Sequence, residues 1–288
     1  MKAAVADLGE PVSDAGPARG DQPAAAPVPD RDGAGLAQET RGLPIWAYVV
    51  IVAVYLVIVQ GAGQLLTAGL DIKYAAPTSV NELWRSITVP VWASLVFVYA
   101  VVGALGWWRP VFADDKPVQR WVRTIAIIMV VAAVAGMNYT GLGHKGAGFT
   151  VLMVLTFLGV GFAEEGMFRG LGVAAFRVNG FTEGKVALWT CVVFGLAHAT
   201  NLISEGPKAV FQVLVTAVAG YFFYLIRRAS AGLVVPALVH GLWDLGLISS
   251  AVVAGKTYLG FSLFILADII LVIILLIRRH HIELPATR

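Results

Sequence analysis

Of the 288 residues in the chain, 58% are hydrophobic and only 14% are charged, with a mean hydropathy of +0.78. Soluble domains carry about a quarter charged residues, so this composition excludes an ordinary water-soluble fold and points to an integral membrane protein. The net charge of +3 and pI near 9.0 do not indicate a nucleic-acid binder, because Lys and Arg fall between apolar runs and form no basic face. With a single cysteine, Cys191, the chain has no intrachain disulfide and no cysteine metal cluster. The apolar neighbours Trp189 to Ala197 mark that thiol as buried and inert.

Residues 1–42 are rich in Ala, Pro, Gly and Asp and contain no apolar run. They cannot bury enough surface to offset chain entropy and are expected to form a disordered cytoplasmic tail. No apolar signal core precedes Leu43, so the first span is expected to be a permanent helix. Residues 43–288 then read as an all-α polytopic membrane bundle. Eight apolar stretches meet or approach membrane-spanning length, at about 45–68, 88–108, 121–138, 149–168, 185–203, 209–226, 231–251 and 259–277. The runs are continuous rather than alternating, which implies helices and not a barrel. Trp46, Trp107, Trp108 and Trp121 stand at boundaries, where aromatic rings settle at headgroup level.

Alternate connecting segments differ in basic charge. One set holds Arg31, Arg41, Arg109, Lys116, Arg120, Arg123, Arg177, Lys185, Arg227, Arg228, Arg278, Arg279 and Arg288, thirteen in all. The other holds five: Lys73, Arg85, Lys145, Lys208 and Lys256. This imbalance predicts a multi-pass protein of the plasma membrane with both termini in the cytoplasm. No internal repeat is evident, which counts against a repeat-built transporter.

Polar residues within the spans cluster in three places. The fourth span ends in Glu164, Glu165 and Arg169; the fifth carries Phe194 and His198; the seventh carries His240 and Asp244. A spacing of four sets Glu165 beside Arg169, Phe194 beside His198, and His240 beside Asp244. Glu164 is rotated by roughly 100° from Glu165, so it is free to face a cavity. Charges in a membrane helix are costly, and the default reading is a functional site.

Glu164, His198, His240 and Asp244 have the chemistry of a hydrolase, with Glu165 and Arg169 in support. In one scheme Glu164 and His198 activate a water while His240 and Asp244 stabilise the tetrahedral oxyanion. In the other, His198, His240 and a carboxylate such as Glu164 bind a divalent metal, most simply Zn²⁺, with one position left for water. Two further classes of function share these residues: a non-catalytic scaffold or immunity protein, and a proton- or cation-coupled transporter. Asp268 stands alone in the eighth span, and His144, His280 and His281 read as solvated or interfacial. Gly159, Gly161, Gly166 and Gly170 allow close helix approach, and Gly166 and Gly170 could also admit a substrate chain.

These residues resemble the CPBP intramembrane protease family, regarded as metalloproteases, which includes the CAAX prenyl-protein endopeptidases and the abortive-infection or bacteriocin-processing relatives. The family's E-E-x-x-x-R element reads as Glu164-Glu165-Gly166-Met167-Phe168-Arg169, and its F-x-x-x-H element as Phe194 to His198. Its H-x-x-x-N/D element reads as His240-Gly241-Leu242-Trp243-Asp244. The resemblance covers about 149–250, the expected catalytic core. It implies an endopeptidase acting on a peptide or lipidated protein in the bilayer, with Glu164 and His198 activating water and His240 with residue 244 forming the oxyanion hole. The prenyl-protein branch has asparagine where this chain has Asp244. An ionised Asp cannot donate to an oxyanion, so Asp244 is expected to orient His240 or bind metal, unless it is protonated.

Overall fold

The computed structural model describes residues 42–70, 76–202, 206–253, 255–256 and 258–284. The expected tail, apart from Gly42, lies outside the described residues, as do Arg31, Arg41, Lys73 and Arg288 of the charge comparison.

Among the described residues the helices of the bundle and its connectors run, in chain order, α1 Ile45–Thr67, α2 Val80–Leu105, α3 Trp108–Phe112, α4 Arg120–Gly136, α5 Tyr139–Lys145, α6 Ala147–Val178, α7 Glu183–Ala197, α8 Lys208–Ala229, α9 Val234–Ser249 and α10 Phe261–Arg278. Two isolated β-bridges, Ala113 with Gly232 and Val118 with Glu283, join connectors. Local chemistry sets several boundaries. Ser79 accepts a hydrogen bond from the Glu82 amide at 3.2 Å, and the Glu82 carboxylate accepts from the Thr78 amide at 2.7 Å, so the two close the start of α2 reciprocally. Asn138 caps α5 by accepting from the Gly141 amide at 2.8 Å, and at that break α4 and α5 diverge by 55°.

Every one of the eight expected spans coincides with a helix, but not all are long enough to cross a bilayer. Five helices are long and apolar enough, or six if the bent α4–α5 pair counts as one span. The expected spans 185–203 and 231–251 shrink to α7 and α9, of 15 and 16 residues. At 1.5 Å per residue these reach about 22–24 Å, short of the roughly 30 Å hydrocarbon core. For α7 the reason is visible, since after Ala197 the chain tightens into a 3₁₀ turn at His198–Asn201. One site histidine, His198, follows α7 directly, and the other, His240, lies within α9. The chain is a multi-pass membrane protein.

The core is built on α6, which packs against α2 on one side and α9 on another, while α9 also packs on α4. Helices α7 and α8 form a second closely packed pair, and α10 lies against α4. The α6–α9 crossing brings backbones together. A Cβ on Gly161 would collide with the Ala237 carbonyl, and one on Gly241 with the Phe157 carbonyl. Small residues permit this approach where hydrophobic burial alone does not drive association.

Arg177, Arg227 and Arg228, expected to be loop charges, are instead paired groups tying the connectors together. Arg227 and Asp114 are fully buried and bonded at 2.9 Å, and Arg227 also donates to the carbonyls of Val111, Pro110 and Ala113. Arg177 bridges Asp114 at 3.1 Å and Glu183 at 2.9 Å, while Arg228 holds Glu283 in a bidentate pair at 2.7 Å. Sequence position makes these arginines look solvated; the fold buries Arg227 and Arg228 because the 107–118 connector turns its carbonyls inward to meet them, while Arg177 stays partly exposed between two carboxylates. Burial pushes the Asp114 carboxyl up, but Arg177 and Arg227 beside it outweigh that and hold it below the usual carboxylate range.

Candidate active site

In α6 the regular α-helical stretch ends at Glu165 and passes into a π-helical turn, Gly166–Gly172, that holds Arg169. Such wide turns recur at functional sites because they re-aim side chains within an otherwise continuous helix. Glu165 and Arg169 are completely buried and joined at 3.0 Å. The same Glu165 oxygen, Oε1, accepts a second hydrogen bond, 2.9 Å from His240 Nδ1 on α9. A carboxylate oxygen accepts and does not donate, so His240 carries its proton on Nδ1 and turns Nε2 the other way.

His240 Nε2 faces Asp244 Oδ2 at 3.5 Å and Glu164 Oε2 at 3.8 Å. The two adjacent glutamates therefore have different surroundings. Glu165 is sealed and engaged by Arg169 and His240, whereas the side chains of Glu164 and Asp244 are 21% and 26% exposed. Oε2 of each glutamate has no hydrogen-bond partner among the described residues, so exposure is what separates them. One half of the site holds geometry, and the other half is reachable.

His198 opens the 3₁₀ turn after α7, with Nδ1 3.0 Å from the Phe194 carbonyl oxygen. A carbonyl can only accept, so Nδ1 bears the proton and the lone pair lies on Nε2. His198, His240 and Asp244 all lie within coulombic range of Glu164. The structure thus gathers Glu164, Glu165, Arg169, His198, His240 and Asp244 around one centre. Each of the three i,i+4 pairs meets as its spacing predicts.

Phe223 and Gly220 carry no signal in the sequence, and Phe194 does more than its spacing shows. Phe223 of α8 stacks on the His240 ring at 4.4 Å with planes 16° apart, and Phe194 meets it edge-on at 5.9 Å. Phe194 also lies under the Arg169 guanidinium, 4.0 Å from ring centroid to Cζ. That contact gives Phe194 more than a packing role. At Gly220 a Cβ would come within 2.7 Å of Arg169 Nη2, so the missing side chain makes room for the guanidinium. In sequence, Tyr221-Phe222-Phe223-Tyr224 looks like any lipid-facing aromatic run, and only its pairing with α7 and α9 turns Phe223 towards the histidine.

The expected metal ligands His198, His240 and Glu164 do not converge as a coordination site. Among the described residues no three His, Cys, Asp or Glu side chains are placed to hold a metal ion. His240 Nδ1 and Glu165 Oε1 are taken up by each other, and His198 Nδ1 by a backbone carbonyl. Nε2 of both histidines is left outside those bonds. Outside the centre, Cys191 is a buried free thiol, and His144, His280 and His281 are exposed.

Residues 146–246 match the family model described as Rce1-like, type II CAAX prenyl endopeptidase. No curated protein and no solved structure matches the chain. The matched segment contains the buried Glu165–Arg169–His240 group together with Glu164, His198 and Asp244. Over this segment, residues 146–246 of the 288, the chain is similar to the Rce1-like CAAX endopeptidase family.

Proposed function

We propose that the chain is an intramembrane endopeptidase that hydrolyses a peptide bond of a membrane-associated or lipidated protein, using water activated by Glu164 and His198. The observation that carries this reading is the division between the two glutamates. Each keeps one oxygen without a partner among the described residues, but Glu165 is sealed against Arg169 and His240, while the Glu164 side chain is 21% exposed. A general base must reach a water and be able to take its proton, and Glu164 is the carboxylate so placed. His198 Nε2, with its lone pair free, accepts a hydrogen bond from the same water and orients it.

In the reaction the water oxygen bonds to the scissile carbonyl carbon and its proton passes to Glu164. The carbonyl oxygen becomes an oxyanion in the low-dielectric site, where a positioned donor is most effective. His240 supplies that donor from Nε2 when protonated, with Asp244 3.5 Å away to hold the proton and Glu165 fixing the ring through Nδ1. The carbon–nitrogen bond then breaks, and Glu164 returns its proton to the leaving amine. Asp244 acts through His240 in this scheme, so an asparagine is not required at 244.

The plasma membrane is the proposed location, with both termini cytoplasmic. Removing the buried Arg227 and Arg228 from the thirteen basic residues leaves eleven against five, the same sign of imbalance. A prenylated peptide ending in a CAAX sequence is the first substrate to try, in view of the family's description.

The test compares protein termini in membranes of cells carrying wild type or Glu164→Gln at matched expression. New termini present only with wild type are the expected result. Identical termini, together with no cleavage of a farnesylated CAAX peptide by purified wild type, would overturn the reading in favour of a scaffold or transporter.

A further inference from the structure

The site histidines are held by different means. His240 is clamped by a buried carboxylate, whereas His198 sits where α7 gives way to a single 3₁₀ turn, a poor platform for a group that must be held within a fraction of an ångström. Two amide side chains from separate parts of the chain converge on that turn. Gln60 Nε2 of α1 lies 3.0 Å from Thr200 Oγ1 and 2.9 Å from Asn201 Oδ1. Asn201 Nδ2 lies 3.0 Å from Gln212 Oε1 of α8. Thr200 and Asn201 are the third and fourth residues of the His198 turn, and Asn201 is 2% exposed.

The direction of these bonds follows from one backbone group. Thr200 donates its hydroxyl proton to the Ala197 carbonyl at 2.8 Å, so towards Gln60 it can only accept. Gln60 must therefore present its NH₂ there, and the same nitrogen requires the oxygen of Asn201. Asn201 then offers its own NH₂ to the oxygen of Gln212. Gln60, moreover, lies in a π-helical turn of α1, Val57–Gly61, the kind of irregularity that re-aims a residue.

We infer that Gln60, Asn201 and Gln212 form an oriented amide latch that fixes the turn carrying His198, so that its Nδ1–H stays on the Phe194 carbonyl and its Nε2 stays aimed at the reacting water. The three are positioning residues and touch no substrate. The inference rests on the proposed role of His198, but its geometric half does not depend on peptidase activity.

The test uses the full-length protein with nitrogen-labelled histidine in lipid nanodiscs, the His198 signal being assigned by its loss in His198→Ala. Two readings are taken on Gln60→Met, Asn201→Leu, Gln212→Met and Gln212→Glu: the His198 ring tautomer by nitrogen resonance, and kcat and KM on a farnesylated CAAX peptide. Wild type should show the Nδ1–H form. Asn201→Leu and the two Met variants should mix the tautomers and lower kcat by up to about 100-fold, with KM little changed. Gln212→Glu, which keeps the acceptor, should remain near wild type in both. If Asn201→Leu is not recovered folded, the Gln212→Met and Gln212→Glu pair decides. An unchanged tautomer in Gln212→Met overturns the latch, and so does an equal loss in Gln212→Glu. A tautomer shift in protein whose wild type cleaves nothing would support the latch while removing the proposed function.

Discussion

Replacing Glu165 by Ala should destabilise the protein far more than replacing Glu165 and Arg169 together by Ala and Met. Both side chains are fully buried, and among the described residues the guanidinium donates its hydrogen bond to Glu165, at 3.0 Å. Arg169 Nε and Nη2 have no hydrogen-bond partner there, so removal of Glu165 leaves a cation with no counterion except the face of Phe194 at 4.0 Å. Breaking a buried pair from one side costs about 3–5 kcal/mol, and a desolvated cation–π contact returns roughly 2. A chain of this size shifts its melting temperature by about 2–4 °C per kcal/mol, so the remaining loss of about 1–3 kcal/mol in Glu165→Ala should lower the apparent midpoint by roughly 2–12 °C. In the double variant no charge is stranded, and an apolar Met occupies the guanidinium's place between Phe194 and Phe223. Its midpoint should lie above that of Glu165→Ala. The assay is thermal unfolding in a fixed detergent, followed by tryptophan fluorescence. A Glu165→Ala midpoint within about 2 °C of wild type, or a double variant lower than the single, would refute the claim that Arg169 depends on Glu165.

Glu164→Gln should leave that midpoint unchanged, because the nearest approach of Glu164 to His240 is 3.8 Å, beyond hydrogen-bonding distance, yet should lower cleavage of a validated substrate by about 100- to 10,000-fold. Equal losses of stability in the two glutamate variants would show that their roles are not divided. Asp114 should impose an acid limit on stability. Its folded carboxyl is held below the ordinary range, so it stabilises the fold at pH above the unfolded value near 3.9, and that contribution fades as pH falls through the folded value. Melting midpoints of wild type should therefore drop over the acid range by more than those of Asp114→Asn, and parallel curves would contradict the pairing. Exhaustive treatment with a zinc chelator should leave cleavage within about twofold, since no three donors among the described residues are placed for a metal; loss of activity restored by Zn²⁺ would show that the ligands reorganise. Gly161→Leu should prevent assembly of α6 on α9, measured as loss of folded protein in detergent extracts, because a Cβ already collides with the Ala237 carbonyl.

Much of the architecture is legible in the residues themselves. Continuous apolar runs can only be satisfied as helices in lipid, since every backbone group must bond within its own segment, and all eight runs lie on helices. The pairings Glu165–Arg169, Phe194–His198 and His240–Asp244 are equally open to reading, because a helix places residues four apart on one face whatever surrounds it. Helix period says nothing, however, about which helices meet. That His240 reaches across to Glu165 through Nδ1, leaving Glu164 as the open carboxylate, depends on the glycine-mediated α6–α9 crossing. That Phe223 stacks on His240, and that Gln60 and Gln212 meet at Asn201, depends on α1, α7 and α8 arriving together from distant parts of the chain. The same limit explains the arginines read as loop charges. Charge and position are properties of a sequence, but whether a guanidinium meets water or the inward-facing carbonyls of residues 110–113 is decided only when the connector folds over it.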